Sequence, residues 1–211
     1  MSANAGSPSL TNPIWRPAVA ILAASLLLSA CASRQGVMLP DIDSWDTRTR
    51  VLGAYEDWEF TARIGVKAGE DGFNGKLRWT QEKEAFRATV SGPLGIGTVR
   101  IDGNAHSAVL TDKDGVRTEL SDVEAELRYR YGWTIPVASL RFWALGIPDP
   151  SLHAETELND AGQLVELAQR DWDVSITRYR EGGGQLMPNL LTASNADTRV
   201  RLVIDKWVFF D

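Results

Sequence analysis

From residue 58 to residue 67 every second side chain is apolar: Trp58, Phe60, Ala62, Ile64 and Val66 alternate with Glu59, Thr61, Arg63, Gly65 and Lys67. A period of two predicts a strand with one apolar face. The alternation resumes after a Gly-containing turn through Leu77 and Trp79, then through Phe86, Ala88 and Val90, and continues in IGTVRID (96–102) and HSAVLTD (106–112). Asp102, Gly103 and Asn104, then Asp114 and Gly115, supply turn signals. Strands so closely spaced predict an antiparallel meander. The pattern returns in HAETEL, QLVELAQ, WDVSITRYR, LMPNLLTAS and TRVRLVIDKWVFF, with Trp172, Val174 and Ile176 on one face of their strand and Val200, Leu202 and Ile204 on one face of theirs. GGG at 182–184 reads as a flexible loop.

Three segments break the alternation. Ile42, Trp45, Thr49 and Leu52 lie at helical spacing behind Asp41 or Ser44 as N-cap. In SDVEAELRYRYGW, Ser121 or Asp122 can cap a helix carrying Val123, Leu127 and Tyr131, with Gly132 ending it. In IPVASLRFWALGIP, Pro136 fits a first turn, and Val137, Leu140, Phe142, Trp143 and Leu145 make the helix apolar on most sides, so protein should cover it. A sheet with one apolar face must cover that face, and these helices are what is available to do so. The fold expected is mainly β with helices: a curved antiparallel sheet closing partly around short helices.

Two readings of the inward aromatics stay open. Trp58, Phe60, Trp79, Phe86, Phe142, Trp143 and Trp172, with Ile64, Val90 and Ile176, are either a filled core or the wall of a hydrophobic cavity, since flat bulky rings are hard to pack without gaps. Periodicity does not separate the two. The loop Gly92, Pro93, Leu94 and Gly95 joins two strands and carries a leucine where a polar residue is usual. Leu94 either folds back onto the rim or dips into a bilayer.

The amino-terminal region changes the picture. Ala18 to Ala30 is an apolar run of thirteen residues behind Arg16, long enough for a signal peptide and short of the ~20 residues that span a bilayer. Leu28, Ser29, Ala30 and Cys31 resemble a bacterial lipobox, which implies that residues 1–30 are removed and that Cys31 is acylated. Multiple acyl chains, each worth ~0.8 kcal/mol per buried methylene, would make the anchor lasting. Ala32 stands where an Asp would resemble an inner-membrane retention signal, which points to the outer membrane. Residues 1–15 carry no Lys or Arg, so the signal's positive region rests on Arg16 and the amino terminus, a pattern compatible with a true start downstream of Met1. Residues 31–41 read as a lipid-anchored tether and 42–211 as one domain.

Without residues 1–30 the chain holds 21 basic and 28 acidic residues, a net charge of −7 that argues against nucleic acid as a partner. Cys31 is the sole cysteine, which excludes a disulfide within the chain and a thiolate metal cluster. His106 and His153 stand in no zinc or triad motif, and His106 with Asp102 or Asp114 is the faint candidate for an envelope enzyme. Asp112, Asp114 and Gly115 lack the spacing of a calcium loop. No catalytic residue, metal or cofactor is expected.

The lipobox at Cys31, GPLG at 92–95, GWTIPVASLRFWALGIPDP at 132–150, WDVSITRY at 172–179, MPNLL at 187–191 and RVRLVIDKW at 199–207 together resemble the LolB family of outer-membrane lipoprotein receptors. The resemblance covers residues 31–211. It implies an incompletely closed barrel of about eleven antiparallel strands with helices over its mouth, and a cavity for lipoprotein acyl chains. It also implies the periplasmic carrier LolA and lipoproteins as partners, and a monomer is expected. Leu94 matches the family's exposed loop leucine, which is tied to placing cargo in the membrane. The rival expectation is a structural or assembly lipoprotein with a filled core.

Overall fold

The computed structural model describes residues 34–92, 97–104 and 107–211. The chain divides into Met1–Gln35 and Gly36–Asp211. Cys31 and the signal region lie outside the described residues, as do Pro93, Leu94, Gly95, Ile96 and His106.

The larger unit holds α1 (Trp45–Gly53), β1 (Asp57–Ala68), β2 (Asp71–Glu82), β3 (Ala85–Ser91), β4 (Val99–Gly103), β5 (Ala108–Thr111) and β6 (Arg117–Leu120). It continues with α2 (Val123–Tyr131), α3 (Val137–Leu145), β7 (Glu155–Leu158), β8 (Leu164–Gln169), β9 (Trp172–Gly182), β10 (Gln185–Ser194) and β11 (Thr198–Phe209). All eleven strands form one antiparallel sheet in the order β6-β5-β4-β3-β2-β1-β11-β10-β9-β8-β7. The sheet does not close. Its edges, β6 and β7, are consecutive in sequence, so the chain crosses the open seam as α2 and α3.

The inward positions are those the alternation marks: Trp58, Phe60, Ala62, Ile64 and Val66 on β1, and Val200, Leu202 and Ile204 on β11, belong to one buried cluster. A register shift between Thr61 and Ala62, opposite Lys206 and Ile204, leaves Asp205 as an extra residue and returns Trp207 and Phe209 to the inner face. Pro188 is tolerated in an interior strand because β10 is irregular there, and its carbonyl accepts from Trp207 Nε1 at 3.1 Å. Ser44 caps α1 through Thr47 N, and Asp122 caps α2 through Ala125 N. Pro136 occupies the N-cap position of α3, and Gly132 ends α2 at φ 70°. The buried side chains of α1 are Arg48 and Leu52, with Thr49 outside that pair.

The glycine triplet is a close-packed seat. A Cβ on Gly183 would stand 2.5 Å from Phe209 Cδ2, and one on Gly184 would stand 2.4 Å from Met38 Cε; both glycines have positive φ. They receive residues 36–39. Val37 N donates to Phe209 O at 2.8 Å, Leu39 N donates to Gly183 O at 2.8 Å, and Leu39 is buried. The expected tether is thus tied to the sheet from Val37 onward. The last apolar residues of the chain also have a role, since Phe209 pairs with Trp58, bridges Val37 and meets Tyr55 edge-on at 5.3 Å.

Candidate functional site

The helix that crosses the seam has two unlike sides. Facing β8–β10, Trp143 of α3 is fully buried against Trp172, ring centroids 6.1 Å apart, in the buried cluster that also holds Leu164, Leu167, Val174 and Ile176. Its indole NH donates to Gln169 Oε1 at 2.9 Å, and that oxygen also accepts from Asp149 N at 3.0 Å. Gln169 Nε2 donates to Asp149 O and Leu152 O. One buried amide therefore fills all four of its hydrogen-bonding positions. Ser139 Oγ donates to Asp149 Oδ2 at 3.0 Å, which ties the first turn of α3 to the same network.

The other end of α3 is held by Arg48. Its guanidinium is buried and donates to Leu145 O and Leu186 O at 3.0 Å and to Gly146 O at 3.4 Å, with Tyr179's ring 5.3 Å from its carbon. A cation on these carbonyls complements the negative end of the helix. Burial lowers the arginine's pKa, partly offset by Tyr179, and burial pushes the Tyr179 phenol up to about 12. Gly146, at φ 74°, is needed here because a Cβ would meet Pro188 Cγ at 2.9 Å and Arg48 Nη2 at 3.1 Å.

Facing β2–β5, the interior opens. Phe60, Trp79 and Phe86 stack in series, with centroids 6.3 and 5.0 Å apart and planes within 15° of parallel. Beyond Phe86 lies a cleft of about 560 Å³, whose apolar lining is Trp79, Phe86, Leu120, Val123, Val137 and Phe142. That volume lies within the ~300–1,000 Å³ of small-molecule sites. Its rim is charged: Arg141 stacks over Phe142 at 4.4 Å, and Arg170 reaches both carboxylate oxygens of Glu124 at 3.0 and 2.9 Å, which raises the arginine's pKa. A groove of about 700 Å³ on strands β1–β5 is lined by Glu59, Asp112, Arg78, Arg87, Arg100 and Lys113 with threonines, and no aromatic or aliphatic side chain lines it.

Of the side chains expected to line a cavity, Trp79, Phe86 and Phe142 line this cleft. Trp58, Phe60, Ile64, Trp143, Trp172 and Ile176 are buried in the cluster behind it, and Val90 packs against that cluster half-buried. Gly92, just after the end of β3, is buried. Val123, Val137 and Leu120 join the lining because the cleft forms where β6 passes into α2, a junction that strand alternation alone does not place. Gln169 and Arg48 went unread: in sequence they look like an ordinary strand amide and an ordinary helix-surface charge. Among the described residues no group of three or more His, Cys, Asp or Glu could hold a metal ion, and no helix is long and apolar enough to cross a membrane.

A family model, the outer membrane lipoprotein LolB, matches residues 56–207. The chain belongs to the LolB family. An outer-membrane lipoprotein LolB of Nitrosococcus oceani is 32% identical over 196 residues, covering 92% of this chain and 98% of that one. Another, from Pseudomonas paraeruginosa, is 32% identical over 167 residues, covering 79% and 82%. The crystal structure of a LolA superfamily protein from Nitrosomonas europaea shares the fold, with a TM-score of 0.53 at 8% identity over 75% of this chain and 88% of that one. The stretch matched to the LolB model runs from just before β1 to Trp207, so it contains the cleft and the Gln169 network. Arg48 and residues 36–39 lie outside it.

Proposed function

We propose that this LolB family protein receives lipoproteins from a LolA-type periplasmic carrier by taking their acyl chains into the cleft between α3 and β2–β5, and that it passes them into the outer membrane. The family's role is that of a receptor for outer-membrane lipoproteins and not of an enzyme. What supports the finer reading is the one-sidedness of α3: hydrocarbon has an apolar floor at Trp79, Phe86, Val123, Val137 and Phe142, while the charged rim at Arg141, Glu124 and Arg170 stays in water. Each methylene moved out of water contributes ~0.8 kcal/mol, so transfer needs no nucleotide. Direction requires tighter binding here than in the carrier, tenfold for each ~1.4 kcal/mol. The chain is held at the membrane by acylated Cys31. Leu94, in the Gly92–Gly95 stretch with Pro93, lowers the barrier to release into the bilayer.

The test is to load a LolA-type carrier with radiolabelled lipoprotein, add residues 32–211, and follow which protein holds the label. Movement of the label onto this protein is expected, and Leu94→Glu should still accept lipoprotein but deliver it poorly to vesicles. If the label stays on the carrier, the packed state of Trp58, Trp143 and Trp172 favours a structural lipoprotein instead. Normal delivery by Leu94→Glu would remove the role assigned to that residue.

A further inference from the structure

The outward side chains of the sheet are sorted by the sign of their charge. Lys67 of β1 stands directly opposite Arg199 of β11, and Arg63 of β1 directly opposite Lys76 of β2. Like charges directly opposite one another destabilise a sheet, so folding alone disfavours both pairs. Arg63 has Asp205 at 3.3 Å, but among the described residues no ion pair joins Lys67, Lys76, Arg199 or Arg201 to a carboxylate. On β7 and β8 the sign reverses, with Glu157 directly opposite Glu166. One rung links the two regions, running from Asn74 through Gly65, Arg201, Thr192 and Ser175 to Glu166. Strands lie ~4.8 Å apart, so about 24 Å of sheet separates Asn74 on β2 from Glu166 on β8.

The basic region encloses a hollow. Gly65 and Gly72 put no side chain outward, which leaves a depression of about 310 Å³ rimmed by Lys67, Arg199 and Arg201, with Glu70 and Asp71 at its turn end. An anionic group seated between the three cations would remove the repulsion between Lys67 and Arg199. The position of the region narrows what that group belongs to. Lys76 pairs with Ser91, the last residue of β3, so the basic strands border the loop whose Leu94 is assigned above to the bilayer. At their other ends β1 and β11 meet residues 36–39, through Trp58 opposite Phe209 and Val37 bridged to Phe209. A bilayer lying along β1 and β11 therefore meets both the amino-terminal segment and the loop after β3.

We infer that the outer face of β2, β1 and β11 is seated on anionic phospholipid, with lipid phosphates against Lys67, Arg199 and Arg201, and that the acidic face of β7 and β8 is turned to water. The occupant is a phospholipid surface because the strands that carry the cations run between two segments that lead to one. Each basic residue near an anionic surface contributes roughly fivefold to the affinity for it. The inference rests on the reading of the loop after β3 as the part that enters the bilayer. That reading fails if Leu94→Glu delivers lipoprotein normally, and the labels described next report the seating of the sheet independently of delivery.

The experiment uses the full protein, acylated at Cys31, in vesicles of phosphatidylethanolamine and phosphatidylglycerol, some with a nitroxide on the headgroup. A fluorophore is attached at Asn74→Cys or at Glu166→Cys, both exposed positions. The label at position 74 should lose most of its emission to the nitroxide, and the label at position 166 almost none. Replacing phosphatidylglycerol with phosphatidylcholine should restore emission at 74, and so should ~1 M salt, where the screening length is about 3 Å. The triple variant Lys67→Gln, Arg199→Gln, Arg201→Gln should weaken the contact by about a hundredfold and also restore it. That variant should not lower the thermal unfolding midpoint, because it removes a like-charge pair. Equal quenching at the two positions overturns the inference, as does quenching at 74 that ignores phosphatidylglycerol, salt and the triple variant. A label at 74 that is shielded by an acidic carrier protein and not by phosphatidylglycerol overturns it too, and assigns the cations to a protein partner.

Discussion

The side of α3 that faces β8–β10 and the side that faces β2–β5 are built from the same kinds of residue and end in different states. Both present tryptophan and aliphatic side chains to the helix. On the first side, Trp143 and Trp172 close on each other, and the Trp143 indole NH, Asp149 and Ser139 join one network around Gln169. On the second, Trp79 and Phe86 stack along the sheet, and the helix offers Val137 and Phe142 across a gap. The difference lies in polar pairing. A buried amide with four partners fixes the helix to one wall, and a helix fixed to one wall need not fill the space before the other.

The most damaging change should therefore be on the closed side. Trp143→Ala removes a fully buried indole and one donor to Gln169, and should destabilise the protein by about 4 kcal/mol in urea unfolding, as large aromatic truncations do. A loss of under about 1 kcal/mol would mean that α3 is not held from this side.

A smaller effect belongs to the Arg48 end. The Tyr179 phenol donates to Leu164 O at 2.8 Å, and burial raises its pKa from 10.0 to about 12. Because the folded value lies above the unfolded one, the contribution is fully present below pH 10 and is lost as the pH rises through about 12. It is worth on the order of 2 kcal/mol. Phenolate absorbance should show a late-titrating fraction, and Tyr179→Phe should reduce that fraction and flatten the alkaline fall in stability. If Tyr179→Phe leaves the alkaline titration unchanged, the closed side extends less far along α3.

The smallest effect on stability should come from filling the open side. Val123→Trp puts a large ring into existing space and should shift unfolding by less than about 1 kcal/mol. Binding of a fluorescent long-chain fatty acid should weaken by about tenfold, equivalent to ~1.4 kcal/mol. Unchanged binding would place the acyl chains elsewhere.

Much of the fold was legible in the sequence, because long strands with one buried face announce themselves. β1, β9 and β11 each alternate over enough residues to fix their inward sides, and the caps at Ser44 and Asp122 and the stop at Gly132 follow from side-chain and backbone chemistry. β6 was not read: in RTEL the sole apolar side chain is Leu120, and four residues show no period. The cleft was read in part. Trp79, Phe86 and Phe142 line it, but alternation gives Trp58 and Trp172 the same inward sense, and which inward residues meet a gap depends on how the helices are tied down. Those ties are single polar residues. Nothing local distinguishes Gln169 from an amide in water, or Arg48 from the exposed Arg50 two positions on. The glycine triplet looked flexible for a similar reason: the residues that crowd it, Met38 and Phe209, come from opposite ends of the chain.

The pairing of β1 with β11 sets an order of events in time. The two strands at the middle of the sheet are the first and last to be made, and eleven backbone pairs between residues 58–68 and 198–209 must wait for the carboxyl terminus. Contacts so distant in sequence form late. A chain threaded through a membrane from its amino end keeps its central seam open for the whole crossing, and becomes able to complete its sheet when Phe209 arrives on the far side.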